Sequence, residues 1–354
     1  MTGNIRVMHL MGSLRPSGME RMLQSSAGLW AAHSVTPIVV AQGHDHPFAE
    51  ELTESGYPVV EIREVRGRAG LSDLLGAIHR LQPDVLHVHT ESAHGPVAAM
   101  TRARAPRIGQ VRTVHNVFSS SGFDRHKRVA QHRLAQLSGT HFVACSEDVR
   151  ENEDSYGVRC QVVENWVGID FTRESGGRVR PDGPLVVGVL GNCSPVKNHE
   201  LLLRTVSRSQ HLKVLHVGDS TRASPEERRH LRELETSGRL IDLGARSDVR
   251  SLMDQMDAFA MPSLNEGMPV ALMEAMTAGL PCFISDAPGM RWARDLPGVR
   301  VMADGADWAP EILAALNSSD IALEAVQAAP VARIRFSAVR GVAEYCEIYA
   351  RMVK

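Results

Sequence analysis

The sequence predicts an α/β protein made of two doubly wound, parallel-sheet domains. Three observations carry this: short apolar runs alternate with amphipathic stretches, the alternation restarts after a Gly/Pro-rich charged segment, and 354 residues at 43% hydrophobic content are long for one core. In the first half, strands are expected over 5–10, 37–40, 59–62, 85–88, 107–114 and 142–144, with helices from Met19 and over 71–81. The runs are too short for helices, and the amphipathic segments between them suit crossovers of a parallel sheet. The pattern restarts with a strand over 185–190, a helix over 199–209, a strand over 213–217 and a helix over 225–236. A strand over 240–242, a helix over 248–256 and a strand over 258–261 follow. Segment 171–184, rich in Gly, Pro and charge, reads as the linker. The expected organisation is a domain over 1–172, a linker over 173–184, a domain over 185–334 and a last helical segment over 335–354, with Tyr345 and Tyr349 on one buried face. The cleft between two such domains is the default binding site.

A formal charge of −2 leaves no basic footprint, so nucleic acid is not an expected partner. The five cysteines, Cys145, Cys160, Cys193, Cys282 and Cys346, form no C-x-x-C pair and suit neither a zinc site nor a disulfide framework, which favours a reducing compartment. The first apolar run is broken by Arg6 and His9 and leads into a Gly/Pro loop, not a cleavage site. No stretch reaches the roughly 18 apolar residues of a spanning helix. A cytoplasmic protein is expected.

The most informative stretch runs from Pro262 to Pro281 and contains Glu266 and Glu274. Glu266 sits in a Gly/Pro loop after an apolar strand. Glu274 falls about one and a half turns into a helix that Pro269 can open at its first position. Free N–H groups at such a helix start favour an anion such as phosphate. The flanking Ala271, Leu272, Met273, Ala275 and Met276 imply a buried helix, where a carboxylate needs hydroxyl or N–H donors; a sugar or ribose supplies them. Two turns can present N–H groups to phosphate: one over 12–20, including Gly18, and one over 190–199, including Asn192 and Lys197. Neither is a Walker A loop or a dinucleotide fingerprint. Only four lysines occur among 39 basic residues, so Lys197 stands out as a compact ammonium in a phosphate-facing turn.

Sixteen histidines invite a metal reading, but His87 and His89 alternate along a strand and so should face opposite sides. No D-x-D occurs to clamp a divalent ion on a diphosphate, and metal independence is expected. His115 ends a strand and can project from the first domain. The stretch 125–128 with His132 and Arg133 reads as a basic helix face, either solvated or in weak peripheral contact with an anionic membrane.

These residues resemble the retaining glycosyltransferases of family four, with the two-domain GT-B architecture of facing Rossmann-like domains. The strongest part of the resemblance runs from Gly244 through Asp257, Pro262, Glu266 and Glu274 to Pro281, and is similar to that family's E-x7-E signature. Weaker parts are 17–21, 83–89, His115-Asn116, 144–147 and Asn165 to Asp170. The resemblance implies that Glu274 holds the ribose hydroxyls of a nucleotide and Glu266 those of the transferred sugar. Gly267, Met268 and Pro269 would lie along sugar and diphosphate, Lys197 and the amides at Gly18 would neutralise the diphosphate, Arg246 would lie beside the base, and His115 would sit near the sugar. It also implies a C-terminal helix that returns to the first domain, no cofactor and no protein nucleophile. Asn192 stands where the family usually has Arg, which removes one cation from the clamp unless another such as Arg15 replaces it. Asn165-Trp-Val-Gly interrupts the family's usual Asn-Gly.

The expected activity is metal-independent, retaining transfer of a hexose or N-acetylhexosamine from a nucleotide sugar, UDP-linked by family habit, to a hydroxyl. The acceptor could be lipid-linked, a cell-envelope glycan or a small natural product. The rivals are a sugar-nucleotide epimerase and a non-catalytic sugar-nucleotide binder. Oligomeric state is not legible.

Overall fold

The computed structural model describes residues 3–168, 183–246, 248–303 and 305–353. The chain divides into two compact units, Met1–Gly168 with Ala338–Lys354, and Ile169–Ser337. The expected linker over 173–184 lies outside the described residues except for its last two.

In the first unit, strands β1 (Ile5–Met11), β2 (Val35–Gln42), β3 (Val59–Ile62), β4 (Val85–Val88), β5 (Gly109–Val114), β6 (Thr140–Ala144) and β7 (Gln161–Val162) form one parallel sheet. Its order is β3-β2-β1-β4-β5-β6-β7. In the second, β8 (Leu185–Leu190), β9 (Leu212–Val217), β10 (Leu240–Asp242), β11 (Ala258–Met261), β12 (Cys282–Ser285) and β13 (Val299–Met302) form another parallel sheet, ordered β10-β9-β8-β11-β12-β13. Each order reverses between its first and fourth strands, as in doubly wound Rossmann-like domains. Helices cover both faces, so β4, β5, β11 and β12 are buried at every position and read as continuous runs without alternation.

The expected strands are all present, within a few residues of their predicted ends. Sequence reading missed β7, β12 and β13, which have two to four residues and no period of their own. It also missed the helix Asp320–Arg335, which carries Pro330 in its interior.

The last helix, Ala338–Met352, belongs to the first unit. Tyr345 and Tyr349 are both buried, as their spacing predicts. The Tyr349 hydroxyl meets His87 Nδ1 at 2.7 Å and the Tyr345 hydroxyl meets Thr113 Oγ1 at 2.8 Å. A Cβ on Gly341 would lie 2.2 Å from Trp166, so only glycine lets the helix approach. Trp166, between Asn165 and Gly168, is buried in the core, and its Nε1 donates to the Met22 carbonyl at 3.0 Å.

The helix Gly122–Leu137 corrects the expectation of a wholly surface basic face. Arg125 and Lys127 are exposed, but Arg128 and His132 turn inward. Arg128 pairs with Glu91 and, at 2.5 Å, with the fully buried Glu153, which also meets His132 at 3.0 Å. Burial raises the Glu153 carboxyl, but hydrogen bonds and charge from His132 and Arg128 outweigh it and hold the group below its usual value. No helix among the described residues is long and apolar enough to cross a membrane.

Candidate functional site

In a doubly wound sheet, ligands bind outside the carboxyl ends of the strands where the order reverses. In the second unit that place lies between β8 and β11, and the loops leaving these strands carry Lys197 and Glu266. The two side chains meet there: Lys197 Nζ donates to Glu266 Oε1 at 2.7 Å, with 29% and 11% of the side chains exposed. Backbone bonds hold the loops together, since Leu264 N–H donates to the Val196 carbonyl at 2.8 Å and Asn198 Nδ2 donates to the Pro262 carbonyl at 3.1 Å. A third loop braces Glu266, whose N–H donates to the Pro288 carbonyl at 3.0 Å.

Gly289 makes that bracing possible. Its φ is +81°, and a Cβ there would lie 2.1 Å from the Glu266 carbonyl oxygen. Gly289→Ala is expected to destabilise the second unit by about 1–3 kcal/mol, combining left-handed strain with that clash; urea melts followed through Trp292 and Trp308 check it.

Glu274 lies on the buried helix Val270–Thr277 and is 4% exposed. Pro269 is the residue capping this helix, with φ −70° and ψ 120°, and not its first helical residue. The preceding loop is pinned at Glu266, so the helix begins one residue later than composition implied. The Leu272 and Met273 N–H groups donate to the Pro269 carbonyl at 3.2 and 3.4 Å, which leaves the N–H groups of Val270 and Ala271 ahead of the first intrahelical acceptor. Gly267 and Met268 are buried between Glu266 and this helix start.

The structure gives two other expected residues separate engagements. Asn192 Oδ1 accepts from the Asp219 N–H at 2.8 Å, which fastens the β8 loop to the β9 loop. Arg246 is exposed, and its guanidinium grips Asp248 through two bonds of 2.8 and 2.9 Å.

Gly18 and His115 belong to the first unit. Gly18 is the first residue of the helix Gly18–Ser26, while the preceding Ser17 hydroxyl donates to Glu20. Arg15, offered by the sequence as a replacement cation, forms an exposed pair with Asp45 at 2.8 Å. His115 follows β5, and its Nε2 meets His89 Nδ1 at 2.9 Å; His89 Nε2 meets His9 Nδ1 at 3.0 Å. This corrects the expectation that His87 and His89 face opposite sides, because their ring centroids are 4.0 Å apart. The strand ends at Val88, so His89 is off the pleat and its ring folds over its neighbour. Burial lowers His9 to about 3, and burial with the Arg112 charge lowers His115 to about 4, so both imidazoles are neutral at pH 7.

Sequence reading missed a second cluster, Cys193, His199 and His216, gathered from a loop, a helix start and a strand with irregular spacing. The only signal was their placement beside one phosphate-facing turn. Burial alone would lower His216, but hydrogen bonds to Asp242 and Cys193 push it up to about 9. Burial and the charges of His216 and Lys197 bring His199 down to about 3.

Two doubly wound domains of this kind define the GT-B class of α/β proteins. Anabaena Alr3699/HepE, solved with UDP-glucose, superimposes with a TM-score of 0.82 at 21% identity, covering 98% of this chain and all of that one. Family models match both halves: "Glycosyltransferase Family 4" over residues 16–171 and "Glycosyl transferases group 1" over 184–318. The chain belongs to this family of GT-B glycosyltransferases. Among its relatives are the putative glycosyltransferase EpsF of Bacillus subtilis, 25% identical over 80% of this chain and 79% of that protein, and the GDP-mannose:cellobiosyl-diphosphopolyprenol alpha-mannosyltransferase of Xanthomonas campestris, 24% identical over the same shares.

Proposed function

We propose that this enzyme transfers a hexose or N-acetylhexosamine from a UDP-sugar, with retention and without a metal on the diphosphate, to a hydroxyl of a lipid-linked glycan. The observation that carries the reading is the Lys197–Glu266 pair at the strand-order reversal of the second unit, beside the start of the helix that bears Glu274. Breaking a glycosyl–diphosphate bond builds negative charge on the leaving group, and a fixed ammonium with helix-terminal N–H groups stabilises it. Glu266, already paired, suits a hydroxyl acceptor better than a nucleophile, which favours front-face transfer with the leaving phosphate taking the acceptor's proton. Glu274 would accept from the ribose hydroxyls. His115 of the first unit carries a neutral imidazole able to hold a hydroxyl. The UDP-glucose complex of the Anabaena structure supports the donor, and the diphosphopolyprenol acceptor in the Xanthomonas relative's name supports the lipid-linked acceptor.

A thermal-shift screen of UDP, GDP, ADP and dTDP sugars in EDTA tests the donor. A UDP-sugar at a hundred times its dissociation constant should add about 2.7 kcal/mol of apparent stability. A larger shift with a GDP-sugar would overturn the nucleobase, and no shift in EDTA would overturn metal-free binding. Product formation on a polyprenyl-diphosphate glycan, and none on the free glycan, is the expected acceptor result.

A further inference from the structure

Cys193, His199 and His216 are each 2% exposed or less and lie in the second unit. Cys193 is in the loop that carries Lys197, His199 is the first residue of the helix His199–Ser207, and His216 is on β9. Cys193 Sγ lies 3.7 Å from His199 Nδ1 and 3.8 Å from His216 Nε2, and the three ligand atoms are within 4.8 Å of one another. Tetrahedral zinc, with bonds of about 2.3 Å to sulfur and about 2.0–2.1 Å to nitrogen, requires S···N edges of about 3.6 Å. Both observed separations fall within a few tenths of an ångström of that edge.

The other nitrogen of His216 completes the pattern. Its Nδ1 sits 3.0 Å from Asp242 Oδ1, the carboxylate–histidine arrangement that orients a zinc-bound imidazole and sets its tautomer. A hydrogen-bonded Cys193–His216–Asp242 triad would account for His216 alone. With the thiol also donating to His199 Nδ1 and accepting from His216 Nε2, which also faces the Gly191 carbonyl at 3.3 Å, hydrogen bonding is the metal-free reading of the same contacts, and a metal titration separates the two. The mixed sulfur and nitrogen donor set suits zinc and not the hard ions magnesium or calcium, which prefer oxygen.

We propose that Cys193, His199 and His216 bind one zinc ion, with the fourth position taken by a water or by the Gly191 carbonyl, 3.3 Å from His216 Nε2, and with Asp242 orienting His216. Binding displaces the thiol proton of Cys193 and the Nε2 proton of His216 to solvent, and His216 keeps its Nδ1 proton for Asp242. The ion ties the β8 loop to the helix start and to β9, so it fixes the segment bearing Lys197 without taking part in transfer. This assignment stands apart from the proposed donor and acceptor.

The experiment uses the untagged full chain, stripped of metal and titrated with cobalt(II). A thiolate-to-cobalt charge-transfer band and tetrahedral d–d bands, saturating near one equivalent, are expected, with elemental analysis of zinc-reconstituted protein giving one zinc per chain. Cys193→Ser should abolish the charge-transfer band, Asp242→Asn should weaken metal affinity about 10–100-fold, and Cys282→Ser should change neither. The wild-type spectrum does not depend on any variant folding. No band in the wild type would leave a hydrogen-bonded triad only and overturn the proposal. So would a charge-transfer band that survives in Cys193→Ser, which would place the metal on another thiolate, or d–d bands with no charge-transfer band in the wild type, which would place it at an all-imidazole site such as His9, His87 and His89.

Discussion

Lys197→Ala is expected to slow glycosyl transfer by about 10²–10³-fold in kcat, the usual cost of removing one fixed stabiliser of transition-state charge. The ammonium is anchored by its own loop, where Lys197 N–H donates to the Ser194 carbonyl at 3.0 Å, and by Glu266 at 2.7 Å. Alanine removes the cation proposed to face the leaving group and leaves the mostly buried Glu266 carboxylate without this counterion. Arginine should rescue poorly, since its planar fork does not fill the place of a compact ammonium. Glu274→Ala should instead act on nucleotide binding, raising KM for the donor more than it lowers kcat. Single-turnover and steady-state rates measure both, with Lys213→Ala on β9 as the control. Wild-type rates in Lys197→Ala together with wild-type KM in Glu274→Ala would refute the site.

The first unit is expected to lose protection steeply as pH falls below about 6.5, the ordinary histidine value, while the second changes less. His9, His94 and His115 are held neutral, at about 3, 2 and 4, and His87 and His89 lie well below their usual value, burial being the largest cause in each. The sign follows from proton counts. Below pH 6.5 the unfolded chain binds protons that the folded unit refuses, so stability falls with pH until each folded value is reached. Each group can contribute about 1.4 kcal/mol per pH unit, so a loss on the order of several kcal/mol between pH 6.5 and 5 is expected. Glu153 adds to it below the ordinary carboxyl range, because its folded value is depressed. In the second unit of metal-stripped protein, His199 at about 3 follows the same rule, but His216 at about 9 has the opposite sign, its contribution being present below pH 6.5 and lost as pH rises through 9. Hydrogen exchange of peptides covering β1, β4 and β5, corrected for intrinsic rates and compared with β8 and β11, reads the difference. Equal loss in both units would refute it.

The sequence by itself determined the α/β class, the doubling of the sheet, the turns in which Lys197 and Glu266 lie and the buried helix that carries Glu274. These are local properties, set by the length of apolar runs, by Gly and Pro at turns and by apolar neighbours around a helical carboxylate. Tertiary structure alone decided which side chains meet. Lys197 and Glu266 are 69 residues apart and touch because β8 and β11 are neighbours in a sheet whose order reverses between them. His9 and His87 are register partners of β1 and β4, and His89 joins them only because the strand ends before it. Arg128 and His132 carry the composition of a surface helix, yet Glu91 and Glu153 draw them inside. Cys193, His199 and His216 have no metal-like spacing and converge through the β8–β9 pairing. Periodicity tells which face of an element is buried, but strand order and register set what lies opposite that face, and those depend on how the whole chain packs.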